Sequence, residues 1–249
     1  MSKSIYIYGF HAIKAQIDSN PECFVKVNIM DSRNDERLST LIKILNDLTI
    51  NFTTCTKKQL DKLSDNQKHQ GIVAEVVMPV LPNHNELIEH IKKLNKDISI
   101  LILDSIQDPR NLGACLRSAN AAGVDCVVIN KDGSAPINAL VHKASAGAIN
   151  KLNIFQVTNL ARTIRELQNQ NIWVIGLDGG TDYSLYNIDL TTSNAIVMGS
   201  EGAGLRRLTK QSCDQLSSIP MQGNVESLNV SVATGIALFE VTRQRNYNV

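Results

Sequence analysis

Three glycines lie within residues 199–204, between a short apolar run and a pair of arginines. Glycines that follow a strand let the backbone approach a ligand closely. The spacing matches the first half of a P-loop, but the Lys-Ser/Thr pair that holds phosphates and magnesium is absent, and the dinucleotide fingerprint G-x-G-x-x-G is not matched either. Glu201 within the segment is a poor neighbour for phosphate. We therefore expect a ligand without phosphates here, with a purely structural glycine turn as the alternative.

A second segment, residues 103–124, predicts a helix over 109–122. The indications are an aspartate at the N-cap position, a proline directly after it and a glycine at the far end. Asn111 lies in the first turn, where free backbone N–H groups favour anions. Ser118 lies about 20° around the helix from Asn111, and Arg117 about 120° away. On these features alone, a capped surface helix with an ordinary arginine explains the segment.

A third segment, residues 219–245, contains a helix that is apolar nearly all round, which predicts deep burial. Ser227 and Asn229 stand directly before it. Helix N-capping explains one of these two residues well. Because both flank Leu228 just after an Ile-Pro strand end, we expect a second role for the pair.

The composition is that of an ordinary soluble protein, with 43% apolar and 20% charged residues and a formal net charge of +1. No apolar stretch approaches the ~20 residues that cross a bilayer, and the apolar run at the N-terminus is too short for a signal peptide. The five cysteines are odd in number and form no CxxC pair. We therefore expect a cytoplasmic protein with buried free cysteines, no metal site and no disulfide.

The chain is predicted to be an α/β protein with two parts. Strand-like and helix-like segments alternate up to residue 77, which predicts a small α/β/α domain over 1–77. Residues 78–97 are expected to be a linker with a covering helix. Residues 98–249 are expected to form a mostly parallel sheet with covered faces. The three segments follow strand ends, and such sheets bind ligands beyond the carboxyl ends of their strands.

Together the three segments resemble the three signature motifs of the SPOUT superfamily, in its SpoU (TrmH-like) branch. The matching stretches, in chain order, are Asn-Leu-Gly to Ala-Ala-Gly over 111–123, Val-Met-Gly-Ser-Glu-Gly with Gly-Leu over 197–205, and Ile-Pro-Met to Val-Ala over 219–233. The stretch 143–148 also fits this branch. Tyr8-Gly9, His11 and the stretch 69–74 resemble a substrate-binding domain of the ribosomal L30e type. The resemblance covers essentially the whole chain.

The resemblance implies that the phosphate-free ligand is S-adenosylmethionine. In this family the cofactor lies bent in a pocket made by a deep trefoil knot, a rare topology that periodicity cannot predict. Backbone groups of Gly199, Ile219 and Leu228 would hold it. The pocket lies against a dimer interface in this family, so a homodimer is expected.

The implied reaction is attack of a ribose 2′-hydroxyl on the cofactor's methyl group. By resemblance Arg117 is the central catalytic residue, with Asn111, Glu201, Ser227 and Asn229 around it. A guanidinium is a reluctant general base because it holds its proton tightly. Either neighbouring cations make Arg117 less basic, or it stays charged and stabilises the alkoxide while another group takes the proton. We hypothesise the second, with Glu201 orienting the guanidinium.

The two domains together are similar to bacterial enzymes that methylate a guanosine ribose in the peptidyl-transferase loop of 23S rRNA, naked or in a ribosomal precursor. No DNA or membrane partner is expected. The lysines within 57–68, together with Arg206 and Arg207, could hold RNA phosphates. The alternatives are the same chemistry on tRNA and a non-catalytic RNA-binding protein with a retained SPOUT fold.

Overall fold

The structure is a computed structural model that describes residues 4–32, 35–77 and 80–247. It divides into two compact units, Met1–Val80 with Ile137–Lys151, and Leu81–Pro136 with Leu152–Val249. The first two residues of the expected linker, 78 and 79, lie outside the described residues. The domain bounds 1–77, 78–97 and 98–249 stay predictions.

The first unit is built on a four-stranded sheet in the order β1-β4-β2-β3. Strand β4 is antiparallel to β1 and β2, and β3 runs parallel to β2. The strands are β1 (Ser4–Tyr8), β2 (Phe24–Met30), β3 (Phe52–Cys55) and β4 (Ile72–Val77). The helices are α1 (Phe10–Ser19), α2 (Glu36–Asp47) and α3 (Lys57–Leu63). The alternation of strands and helices predicted for this part of the chain is confirmed.

The second unit contains a six-stranded sheet in the order β10-β8-β9-β5-β6-β7, and every neighbouring pair is parallel. Its strands are β5 (Ser99–Leu103), β6 (Cys126–Asn130), β7 (Asn153–Val157), β8 (Trp173–Leu177), β9 (Asn194–Met198) and β10 (Gln215–Ser217). All residues of β5, β6 and β9 are buried. The prediction of a mostly parallel sheet with covered faces is confirmed.

The remaining helices, in chain order, are α4 (His84–Lys92), α5 (Pro109–Ala121), α6 (Ala139–Ala144), α7 (Leu160–Gln168), α8 (Arg207–Ser212) and α9 (Val230–Asn246). Helix α6 belongs to the first unit, where Lys143 places its ammonium over the ring of Tyr8, 5.1 Å from the centroid. In the same unit a Cβ added to Gly147 would overlap Ala15. This packing of residues 137–151 was not predicted from the sequence.

Helix α9 corrects one expectation. It packs on α5, and Ala237, Leu238 and Val241 are buried, but Val232 and Phe239 on the other side are 50% and 51% exposed. The helix is apolar on all sides, yet no described element covers that second face. Deep burial all round was therefore wrong. The expected trefoil knot and the L30e-type likeness of the first unit stay predictions.

Candidate active site

A cavity of about 570 Å³ lies at the carboxyl edge of the parallel sheet. The loops after three adjacent strands, β8, β9 and β10, form its walls together with the start of α9. Its lining residues are 177–179, 198–204, 218–221, 225–228, Val230 and Ala233. Gly199, Glu201, Ile219, Ser227 and Leu228, which were predicted from sequence, all belong to this lining.

The glycine loop after β9 owes its composition to close backbone packing. A Cβ on Gly199 would overlap the backbone of Gly204 and Leu205. The loop is closed by Ser200 N donating to Gly204 O (3.0 Å) and Gly204 N donating to Ser200 O (2.9 Å). Gly202 and Gly204 have φ of +77° and +67°, a backbone region that favours glycine. Close backbone packing within the turn therefore explains the glycines. It does not explain Glu201, whose side chain lies at the tip of the loop.

Three polar side chains from different elements meet beside this loop. Asn229 Nδ2 donates to Asn111 Oδ1 (3.1 Å) and also to Glu201 Oε1. Asn229 Oδ1 caps α9, accepting from Ser231 N (2.9 Å) and Ser231 Oγ (2.6 Å). The side-chain oxygen of Asn229 thus caps α9. Its side-chain nitrogen links α5 to the glycine loop through the hydrogen bonds to Asn111 and Glu201. The second Glu201 oxygen accepts no hydrogen bond from a described residue.

Arg117 does not join this cluster. It is exposed on α5, does not line the cavity, and forms no hydrogen bond or ion pair with a described residue. Ser118 instead faces α9, where a Cβ on Gly235 would lie 3.6 Å from the serine hydroxyl. The helical spacing explains both placements, because α5 turns Arg117 about 120° away from Asn111.

An ion pair that was not predicted from the sequence anchors the glycine loop. Asp104, fully buried after β5, accepts from Arg206 Nε (2.6 Å) and Arg206 N (3.1 Å). Asp104 N in turn donates to Met198 O (2.8 Å), at the end of β9. Arg206 therefore holds the base of the loop although its side chain is half exposed, and the neighbouring Arg207 is exposed as well. The indication in the sequence was a carboxylate directly after an apolar strand.

A second ion pair borders the cavity. Lys210 Nζ lies 2.8 Å from Asp178 Oδ2, and this hydrogen bond lowers the pKa of Asp178. In the part of the chain that the structure describes, the lining carries the carboxylates Asp178, Glu201 and Glu226 but no lysine or arginine. Such a lining favours a ligand that is neutral or cationic and disfavours phosphate.

The cysteines are free thiols, and three of the five are buried. Beneath the site, Cys115 Sγ lies 3.4 Å from Thr234 Oγ1, which links α5 to α9. Burial raises the pKa of Cys115 to about 11, so this thiol stays protonated and acts as a small apolar group. Within the described ranges, no group of His, Cys, Asp and Glu could hold a metal ion, and no helix is long and apolar enough to span a bilayer.

Two protein families match different parts of the chain. Residues 98–239 match the SpoU rRNA Methylase family, and residues 6–81 match the family described as RNA 2′-O ribose methyltransferase substrate binding. The chain is 48% identical to the 23S rRNA (guanosine-2′-O-)-methyltransferase RlmB of Escherichia coli (strain K12) over 96% of its length and 98% of that protein. It is 47% identical to the RlmB of Vibrio vulnificus (strain CMCP6), over 96% and 97%.

The fold is also that of a solved structure. The SpoU methyltransferase AviRb from Streptomyces viridochromogenes, in complex with the cofactor AdoMet, superposes with a TM-score of 0.85 at 22% identity. The match covers 99% of this chain and 92% of that one.

Proposed function

The chain belongs to the SpoU rRNA methylase family, and from that premise we propose that it methylates the ribose 2′-hydroxyl of a guanosine in 23S rRNA, with S-adenosylmethionine as donor. The observation that carries this function is the similarity of both units to enzymes named for it, 48% identity over 96% of the chain. The substrate-binding match over 6–81 supports rRNA rather than tRNA, because the relatives with the same N-terminal part are named for rRNA. The peptidyl-transferase loop, in free or precursor rRNA, is the proposed location.

The residues of the cavity suit S-adenosylmethionine. A volume of about 570 Å³ is in the ordinary range for a small-molecule site. Backbone groups of Gly199, Ile219 and Leu228 lie in its wall, available to an adenine or an amino-acid portion. The carboxylates of the lining suit a positively charged sulfonium, and the absence of lysine and arginine from the lining matches a ligand without phosphates. When bound, this donor supplies a methyl group that is already activated.

The protein's part in the reaction is positioning and charge stabilisation. With the donor bound, the residues of the site would align the ribose oxygen with the methyl group and help the hydroxyl proton to leave. Arg117, exposed and without a described partner, is free to approach the RNA and stabilise the alkoxide as a charged guanidinium. Glu201, held by Asn229, presents its second oxygen as an acceptor. Asn111 and Ser227 complete the proposed catalytic set.

A homodimer is part of the proposal. The exposed face of α9 carries Val232, half-buried Ile236 and Phe239 at a spacing of i, i+4 and i+7. An apolar stripe of this kind on a solvent-facing helix is typical of a protein interface. Because ribosomal RNA is the proposed substrate, we place the enzyme in the cytoplasm.

The function is tested by incubating the protein with labelled S-adenosylmethionine and either 23S rRNA that lacks its native modifications or unmodified tRNA. Label in rRNA alone is the expected result. Label in tRNA alone would show that the protein carries out the same reaction on tRNA instead of rRNA. Cofactor binding without transfer to either RNA or to precursor ribosomal particles would favour a non-catalytic RNA-binding protein.

A further inference from the structure

A second cavity, of about 610 Å³, lies at the opposite edge of the parallel sheet. Trp173, the first residue of β8, and Ser193, just before β9, line it, whereas Leu177 at the far end of β8 lines the methyl-donor cavity. We call this second cavity the amino-edge groove. Its lining residues are Gln168, 171–173, Tyr183, 187–189, Thr192, Ser193, Asp214 and Gln215. Nothing in the methyl-transfer chemistry uses it.

Two aromatic rings are left open to solvent in this groove. Trp173 is 47% exposed and Tyr183 46% exposed. Their backbones are fixed, since Trp173 N donates to Ser193 O (3.0 Å) and Tyr183 O accepts from Ser218 N (2.8 Å). Large aromatic side chains stabilise a fold mainly by being buried. Two half-exposed rings, carried in one groove by backbone that is hydrogen-bonded in place, therefore offer a surface for a planar ligand.

The polar groups of the groove define the ligand further. The side-chain amides of Asn171 and Asn187 form no hydrogen bond with a described residue, so they offer donors and acceptors. The carboxylate of Asp189 accepts from Thr191 N (2.9 Å) and Thr191 Oγ1 (2.6 Å), which lowers the pKa of Asp189 and keeps it charged. Asp214 accepts from Val174 N (2.8 Å). Among the described residues, no lysine or arginine lines the groove, so a phosphate inside it would find no cationic partner.

We propose that the amino-edge groove binds an unpaired nucleobase of the RNA substrate, stacked on Trp173 and Tyr183 and hydrogen-bonded by the amides of Asn171 and Asn187. Unpaired bases combine a flat ring with hydrogen-bonding edges, and proteins recognise them through aromatic stacking and amide contacts. The inference rests on the proposed action on RNA and adds a second contact point, on the sheet edge away from the methyl donor.

Trp173 is the single tryptophan of the chain, so its fluorescence reports on the groove directly. The wild-type protein is titrated with short single-stranded oligoadenylate and oligouridylate, and with the duplex of the two. Single strands are expected to quench the emission in a saturable way, and the duplex to quench it little. The substitution Tyr183→Leu should weaken the single-strand affinity on the order of tenfold. Tyr186→Leu is the matched control, because Tyr186 is 49% exposed and does not line the groove.

Methyl transfer supplies the second readout. Tyr183→Leu should raise the KM for rRNA while kcat and the affinity for S-adenosylmethionine stay unchanged. An absence of quenching by single strands, or equal quenching by the duplex, in a protein that still transfers methyl groups would overturn the groove proposal alone. Quenching by peptides from ribosomal proteins but not by RNA would also overturn it. Saturable quenching by RNA in a protein that transfers no methyl group would retain the groove and reject the proposed function.

Discussion

The side-chain amide of Asn229 links α9 to α5. Its oxygen caps α9 by accepting a hydrogen bond from Ser231 N, and its nitrogen donates a hydrogen bond of 3.1 Å to Asn111 Oδ1. The same nitrogen donates to Glu201 Oε1. One residue therefore ties the start of a core helix to the first turn of α5 and to the glycine loop. The geometry of the proposed catalytic set depends on this amide.

Substituting Asn229→Asp separates these two roles. Aspartate is also a good N-cap, so the free energy of unfolding in urea should change by less than about 1 kcal/mol. The nitrogen donor is lost and a second carboxylate faces Glu201, so kcat should fall about a hundredfold, as expected for a displaced catalytic group. Asn229→Ala, which removes the cap as well, should lose both activity and stability. An aspartate variant with wild-type kcat would show that the donor is dispensable.

Substituting Gly199→Ala tests the glycine loop. The added Cβ overlaps the backbone at Gly204, so the loop must shift and both stability and cofactor affinity should fall. Strain of this kind costs about 1–3 kcal/mol of unfolding free energy. Gly223→Ala is the control, because its Cβ meets nothing within 4 Å. Calorimetric binding of S-adenosylmethionine checks the prediction, and equal affinities for the two variants would contradict it.

Substituting Arg117→Lys tests the guanidinium. A lysine keeps the charge but loses the planar fork of donors, so kcat should fall with little change in the KM for either substrate. Arg110→Lys serves as the control, since Arg110 is exposed on the same side of α5, seven residues earlier. Rapid-quench measurement of single turnovers gives the rate of the chemical step. Near-wild-type turnover by the Arg117→Lys enzyme would rule out a geometric role for the guanidinium.

The lysines of the first unit are the proposed phosphate contacts. Lys57, Lys58, Lys62 and Lys68 are all exposed, and no ion pair joins them to a described carboxylate. Replacing them with glutamine should weaken rRNA binding and reduce the slope of log affinity against log salt by about one for each lost contact. Lys43→Gln, on the exposed side of α2, is the control. An unchanged slope in a titration from low to moderate salt would place the contacts elsewhere.

Local patterns predicted much of this structure. The alternating pattern up to residue 77 indicated the strands and helices of the first unit, and capping residues placed α5 correctly within one residue. The family resemblance grouped Asn111, Glu201 and Asn229, and the shared edge at which parallel strands end is the physical reason that they meet. Their roles in catalysis came from family resemblance and stay proposals.

Long-range features could not be predicted in the same way. The ion pair of Asp104 with Arg206 joins residues far apart in the sequence, and the sequence had suggested Arg206 only as a phosphate contact. The six-residue helix α6 carries too short a pattern to show that it packs in the first unit. The exposed face of α9 was predicted to be buried in the core. An apolar pattern does not show whether the rest of the same chain or a binding partner covers it.

The most direct test of the central claim is to map the methyl group that the wild-type protein adds to 23S rRNA lacking its native modifications. Alkaline hydrolysis leaves the bond after a 2′-O-methylated ribose intact, so the modified nucleotide is found as an uncleaved step. A single 2′-O-methylguanosine in the peptidyl-transferase loop is the predicted result. A methyl group on a base, or on the ribose of a different nucleotide class, would contradict the account.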